Sequence, residues 1–281
     1  MKIVETPTEA YAHTDHWRRE GLRIGLIPTM GALHAGHLSL AERSRQECDI
    51  TVVTIFVNPT QFGPQEDFGR YPRTLQEDLL QLKQLGVDMV FTPPRERMYP
   101  EGFSSSVQPP AIAEPLEGVR RPGHYQGVVT IVLKLFQIVP ATIAYFGQKD
   151  YQQLAVIRHM ANDLNVPIRI EGCETVREPD GLAMSSRNRY LSPEKRHAAL
   201  GLWKALSHVK AEAANGQTAI ATLEKQMETI LYDAGVDRID YARIVDRDSL
   251  ADLTLLDRPA VALIAAHVGP TRLIDNLVLD D

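Results

Sequence analysis

The chain reads as an α/β protein: an open parallel sheet with helices on both faces, followed by a smaller α+β domain. Three observations predict this. Short apolar runs alternate with amphipathic stretches over the first two thirds of the chain, the pattern of strand–helix–strand crossovers in a parallel sheet. Polar, glycine-bearing segments follow those runs, at the carboxyl ends where open sheets bind ligands. The last third breaks the alternation, with two long helical stretches and then clustered strands.

The elements follow in order. "RIGLIP" (23–28) is a first strand, and "HLSLAERSRQECD" after it is a helix with Leu38, Leu40 and Ala41 on one stripe. "ITVVTIFV" (50–57) is rich in β-branched residues and reads as a buried strand. "TLQEDLLQLKQLG" (74–86) is a helix whose Leu75, Leu79, Leu82 and Leu85 share a face, with Gly86 as its C-cap. "DMVFTP" and "TIAYFG" are strands, and "GVVTIVLKLFQIV" (127–139), ambiguous by composition, is long enough to be a buried helix. "DYQQLAVIRHMANDL" is a helix and "VPIRIEG" a strand. Helices are expected over about 194–214 and from Gly216 to about Asp233, then strands at "IDYARIVD", "PAVALIAAHVG" and "TRLIDNLVL". The first part, 1–175, is thus a Rossmann-like domain, and 176–281 the smaller α+β domain, with no linker-like segment between them.

Composition narrows the function. The 281 residues carry a formal net charge of −6, without the basic footprint of a duplex nucleic-acid binder. Two isolated cysteines, Cys48 and Cys173, argue against both a disulfide scaffold and a structural zinc site. The polar N-terminus lacks the apolar core of a signal peptide, and no apolar run approaches the roughly 20 residues of a membrane span. A cytoplasmic protein without membrane partners is expected.

The segment "PTMGALHAGH" (28–37) stands out because it places two imidazoles and two glycines where a strand turns into a helix. Packing, a metal site and an anion site are the three readings. Residues three apart share a helix face, so His34 and His37 project together if the helix starts near residues 33–35. Gly31 and Gly36 clear the approach to the backbone, and a helix N-terminus favours phosphate. A metal fits less well, since the turn has no carboxylate and no HExxH helix exists. Neither GxxxxGK[ST] nor GxGxxG occurs.

Histidine–x–glycine–histidine after a first strand resembles the signature of the nucleotidyltransferases that include class I aminoacyl-tRNA synthetases. "AMSSRNRYLS" (183–192) looks like a variant of their second, late-loop signature. Five segments, "PTMGALHAGH", "IFVNPTQFGPQEDFGRYPRT", "RPGHYQGVVTIVLKLF", "YFGQKDYQQL" and "REPDGLAMSSRNRYLS", together resemble the pantothenate synthetase, or pantoate–β-alanine ligase, family. The match runs in order over about 24–192. Gln148 departs from the glutamate more common at that place.

The resemblance implies an ATP-dependent ligase: pantoate and ATP give a pantoyl adenylate and pyrophosphate, and β-alanine then gives pantothenate and AMP. The attacking carboxylate is already ionised near pH 7, so the first step needs alignment and charge neutralisation rather than a base. His37, His34, Lys149 and Arg187 are the expected catalytic residues. Met30, Gly31, Ala32, Leu33, Ala35 and Gly36 would lie along the nucleotide. Ser185 and Ser186 would donate to the phosphates from the late loop. Gly147, Gln148, Asp150, Val176 and Met184 would line the adenosine side. Gln61 and Gln153 suit the hydroxyls and carboxylate of pantoate without charge repulsion. Phe62 would cover its methyls, with Asn58 and Tyr71 as lesser contacts. Mg²⁺ is expected to arrive bound to the triphosphate of ATP, with no protein metal site. A homodimer and a lid role for the C-terminal domain follow from the resemblance alone.

Several residues admit two readings. Arg121 and His124 either touch ligand or pin a loop. Glu77 and Asp78 either contact Mg²⁺ indirectly or are solvated charges on a polar helix face, the second being favoured. The run 127–139 reads as core that also suits a subunit interface. Trp17, Trp203 and the remaining histidines need no role. The rival functions are another adenylyl-transferring enzyme and a catalytically inactive RNA-binding relative. Paired glutamines argue against the first, and the acidic balance against the second.

Overall fold

The computed structural model describes residues 1–64 and 66–279. In chain order the elements are β1 (Lys2–Val4), α1 (Pro7–Arg19), β2 (Ile24–Thr29), α2 (Ala35–Glu47), β3 (Ile50–Ile55), α3 (Leu75–Leu85), β4 (Met89–Phe91), α4 (Arg95–Met98), α5 (Glu117–Arg120) and α6 (His124–Ile138). Then come β5 (Ile143–Gly147), α7 (Tyr151–Asp163), β6 (Arg169–Cys173), α8 (Pro193–Ala214), α9 (Ile220–Asp233), β7 (Arg238–Asp246), β8 (Ala260–Val268) and β9 (Thr271–Val278). The chain divides into two compact units: residues 1–148 with 153–174, and residues 149–152 with those from Thr175 onward.

The first unit is a six-stranded sheet in the order β1-β4-β3-β2-β5-β6, parallel throughout. β2 sits centrally, with Leu26 paired to Val52 of β3 and to Ala144 of β5. The chain winds outward from β2 through β3 and β4, then returns to the other side as β5. The carboxyl ends of β2 and β5 therefore form the switch point at which such sheets open a crevice. Central strands are apolar on both faces because helices cover both: Leu26, Ile27, Val52, Val53, Ile143 and Ala144 are all buried. The ambiguous run is helical from Gly127 to Ile138 and forms most of α6, with Val128, Val129, Val132 and Leu135 buried.

Two elements at the N-terminus had no sequence signal strong enough to assign. β1 is only three residues long and becomes a strand by pairing with β4. α1 is mostly polar, but Thr6 caps it by accepting from the Glu9 N–H, and Pro7 opens its first turn. The α3 stripe holds for Leu79, Leu82 and Leu85, which pack on the core, but Leu75 is 38% exposed and the buried Asp78, 1% exposed, takes an inward position the stripe did not include. Gly86 does end α3, at φ +79°.

In the second unit, α8 and α9 carry Leu202, Leu206, Val209, Leu223, Met227 and Leu231 into a core shared with Ile244, Ala262 and Ile264 of an antiparallel sheet ordered β7-β8-β9. Ser192 caps α8 through the Lys195 N–H, with Pro193 following. Both cysteines are free thiols. Among the described residues, no helix is long and apolar enough to cross a membrane.

Candidate active site

The sequence-predicted residues fall in both units, and each group has its own framework.

In the first unit the glycine turn leaves the end of β2. The Thr29 hydroxyl donates to the Thr54 carbonyl of β3 at 2.7 Å and accepts the Gly31 N–H at 3.2 Å. Gly31 has φ +77°, and a Cβ there would sit 3.0 Å from Asp78 Oδ2 and from Ile55 Cγ2. Glycine is required on both counts. Asp78 closes the turn. Its Oδ2 accepts the Ala32 N–H and its Oδ1 the Leu33 N–H, each at 2.9 Å, and the Thr74 hydroxyl adds a bond at 3.2 Å. This corrects the sequence reading of Asp78. It is neither a solvated surface charge nor an outer contact to a metal, because the carboxylate is buried and engaged by two main-chain donors. Glu77 is exposed, as the polar-face reading expects. The N–H groups of Ala32 and Leu33 are thus spent on Asp78 rather than directed outward from the turn.

His34 is the N-cap of α2, in extended conformation, and its carbonyl accepts the His37 N–H at 2.8 Å. One helical turn therefore separates the two histidines, and their ring centroids lie 4.1 Å apart with planes tilted by 39°. Both are partly exposed, as are Met30 and Gly36, and Ala35 is exposed. Two imidazoles beside first-turn N–H groups and the positive end of a helix dipole have the chemistry to hold an anion.

Gln61 ends a short 3-10 helix, Pro59–Gln61, that follows β3. Its amide nitrogen lies 3.2 Å from the Met30 sulfur, so the structure brings together two residues proposed from separate motifs. Asn58 organises the segment. Only 1% exposed, it accepts from the Tyr99 hydroxyl at 2.8 Å and the Thr60 hydroxyl at 2.9 Å. It donates to Gln61 Oε1 at 3.0 Å and to the Gly127 carbonyl at 3.2 Å. Phe62 packs with Phe68 and Tyr71, at centroid distances of 5.3 and 5.8 Å.

Arg121 and His124 pin this loop. Arg121 makes a two-pronged pair with Glu66, at 2.7 and 2.8 Å, and donates to His124 Nε2 at 2.9 Å. His124 Nδ1 donates to the Gln61 carbonyl at 2.8 Å. Accepting on one nitrogen and donating from the other requires a neutral ring. Burial, then the Arg121 charge, pushes the His124 pKa down to about 4. Burial raises the Glu66 carboxyl, but Arg121 outweighs it and holds the group below the usual carboxylate range. The Arg121–Glu66 pairing had no local sequence signal, since its partners are 55 residues apart.

Gly147 ends β5 and Gln148 opens a 3-10 turn, Gln148–Asp150. Gln153 lies in the first turn of α7, partly buried.

In the second unit, Lys149 Nζ lies 4.0 Å from Asp150 Oδ1. Val176 and Met184 are joined, the Met184 N–H donating to the Val176 carbonyl at 3.0 Å. Ser185 caps the 3-10 helix Ser186–Tyr190, its hydroxyl accepting the Arg187 N–H at 3.3 Å. Ser186 is buried. Asn188 holds the segment through Glu178 and the Ala183 carbonyl, both at 3.0 Å. Arg177 is paired with both oxygens of Asp275, at 2.7 and 3.0 Å, and lies 3.9 Å over the Trp203 ring. Trp203 thus has a role that the sequence did not suggest: it roofs the arginine and fills the space that a side chain at Gly181 would need. Among the described residues, no three His, Cys, Asp or Glu side chains converge as a metal-binding group.

Comparison with known proteins agrees along the whole chain. Residues 2–278 match the family model described as pantoate-beta-alanine ligase. A pantothenate synthetase of Rhodopirellula baltica is 51% identical over 269 residues, covering 92% of this chain and 94% of its own. One of Koribacter versatilis is 49% identical, covering 99% and 96%. A crystal structure of the pantothenate synthetase of Thermus thermophilus superposes with a TM-score of 0.95 at 44% identity, covering all of both chains. A pantoate-beta-alanine ligase of Francisella tularensis, complexed with beta-gamma ATP and beta-alanine, gives a TM-score of 0.82 at 32% identity, covering 100% of this chain and 98% of its own. With fold, motifs and full-length similarity in agreement, the chain belongs to the pantoate-beta-alanine ligase family and is an enzyme of that class.

Proposed function

We propose that the His34–His37 pair at the start of α2 is where this enzyme holds the phosphates of ATP while pantoate is activated in the pantothenate-forming reaction of its family. The observation that carries this reading is the pair itself: two imidazoles 4.1 Å apart at a helix N-terminus. A pantoate carboxylate oxygen bonds to the α-phosphorus of ATP, and the bond to pyrophosphate breaks. The amine of β-alanine then bonds to the acyl carbon of the pantoyl adenylate, AMP leaves, and the amine gives up a proton.

ATP enters as its Mg²⁺ complex, the metal carried by the triphosphate. His37 donates to the phosphate oxygens as charge builds in the transition state, with His34 beside it. Lys149 and Arg187 neutralise phosphate charge, and Ser185 and Ser186 donate from the late loop. Met30 and the turn 31–36 follow the nucleotide, while Gly147, Gln148, Asp150, Val176 and Met184 line its adenosine side. Gln61 and Gln153 hydrogen-bond pantoate, and Phe62 covers its methyl groups. The unit from Thr175 onward serves as the lid, and the enzyme works as a cytoplasmic homodimer without a nucleic-acid partner.

The test is ATP–pyrophosphate exchange with and without pantoate. Exchange that depends on pantoate, followed by pantothenate release when β-alanine is added, is the expected result. Exchange indifferent to pantoate would sink the reading.

A further inference from the structure

Lys149 follows β5 in sequence, yet its backbone is held from the last strand. The Asn276 side-chain nitrogen, on β9, donates to the Lys149 carbonyl at 2.8 Å. Asn276 is only 5% exposed, and a buried amide nitrogen must spend its hydrogens on acceptors. Two residues on, the contact runs the other way, the Tyr151 hydroxyl donating to the Arg247 carbonyl at 3.0 Å. A three-residue 3-10 turn such as Gln148–Asp150 has few bonds of its own, so outside donors decide where its carbonyls and side chains point.

The neighbouring residue frames the other cationic segment. Asp275, 3% exposed, takes both prongs of Arg177, and the same guanidinium donates to the Asn276 carbonyl at 3.2 Å and the Gly181 carbonyl at 3.1 Å. Arg177 opens the turn that leads through the Arg177–Ala183 bridge to Met184–Arg187. Two consecutive residues of β9 are therefore bonded to both segments that carry cations for phosphate, one through a main-chain carbonyl and one through an arginine.

We infer that Asn276 is a positioning residue for Lys149. It fixes the backbone from which the lysine side chain extends, and it holds that backbone in register with the Ser185–Arg187 segment, which Asp275 frames through Arg177. The inference rests on the reading of Lys149 as a phosphate-binding cation. A misplacement of about 1 Å in such a group can cost on the order of 100-fold in rate.

The experiment is a double-mutant cycle on pantoate-dependent pyrophosphate exchange, using Asn276→Leu, Lys149→Ala and the double variant, with thermal midpoints measured in parallel. Asn276→Leu keeps the volume and removes the donor. The expected result is a loss of at least tenfold for Asn276→Leu and a double variant no slower than Lys149→Ala alone, because one residue acts through the other. Losses that multiply in the double variant would overturn the inference, since Asn276 would then act independently of Lys149. So would an Asn276→Leu enzyme within twofold of the wild type while Lys149→Ala is crippled, a result that leaves the role of Lys149 standing. A Lys149→Ala enzyme within twofold of the wild type would remove the role of Lys149 itself, and the inference with it. If Asn276→Leu does not fold, the same cycle is run with Asn276→Ser below its measured midpoint, with the same outcomes decisive.

Discussion

Asp78 accepts the main-chain N–H of Leu33 at 2.9 Å across 45 residues of sequence, and its second oxygen does the same for Ala32. A buried carboxylate from α3 thereby sets the shape of the turn that presents His34 and His37. Asp78→Ala should destabilise the first unit by about 3 kcal/mol, since each bond to a charged acceptor contributes about 1.5–3 kcal/mol and both donors would be left buried. Asp78→Asn should cost nearly as much, because its amide nitrogen would face an N–H. Denaturant unfolding measures both. Stability unchanged in Asp78→Asn would restore the solvated-charge reading.

His37→Ala should slow pyrophosphate exchange about 100-fold, in line with removal of one donor to developing charge. His37 is a partly exposed residue on the first turn of α2, so the thermal midpoint should barely move. A fall in midpoint that accounts for the lost activity would instead mark the pair as packing.

His124 gives the fold a defined acid response. Its pKa stands at about 4 in the folded protein, below the ordinary 6.5. As pH falls from 7, the unfolded chain takes up the proton first. The contribution of His124 is full above about pH 6.5 and is lost progressively down to about pH 4, roughly 3 kcal/mol in all. Unfolding of the wild type and of His124→Gln at pH 7, 5.5 and 4 should show a shallower decline in the variant. Equal slopes would assign the titration to other groups.

Gly127 lies where α6 meets the 58–61 segment. A Cβ there would overlap the Thr60 carbonyl and stand 2.7 Å from the Gln61 nitrogen. Gly127→Ala gains about 1 kcal/mol of helix propensity but should lose about 1–3 kcal/mol to overpacking. The displaced Gln61 should raise the KM for pantoate more than that for ATP. Steady-state kinetics with each substrate varied in turn separates the two, and equal rises would argue against a pantoate role for Gln61.

Arg177→Lys removes the planar fork that fits Asp275 and stacks on Trp203. A loss of about 1–3 kcal/mol in the stability of the second unit is expected, with slower pyrophosphate exchange. Full activity at reduced stability would confine Arg177 to the fold.

The sequence by itself determined the layered architecture and the motif map. Strand and helix periods are set by neighbours within one or two turns, so the alternation over the first two thirds and the helices from Pro193 to Asp233 were legible locally. The histidine pair was legible too, because residues 34 and 37 lie one helical turn apart. Tertiary structure alone decided the supports. β1 is too short to show a period and is a strand only because β4 lies beside it. Asp78 is indistinguishable from Glu77 in sequence, yet its position inward on α3, facing two unspent N–H groups, makes it internal. Trp203 and Asn276 meet their partners, Arg177 and Lys149, across gaps of 26 and 127 residues. Those pairings exist because buried polar groups must be satisfied wherever the folded chain happens to place a donor, and no local pattern records that condition.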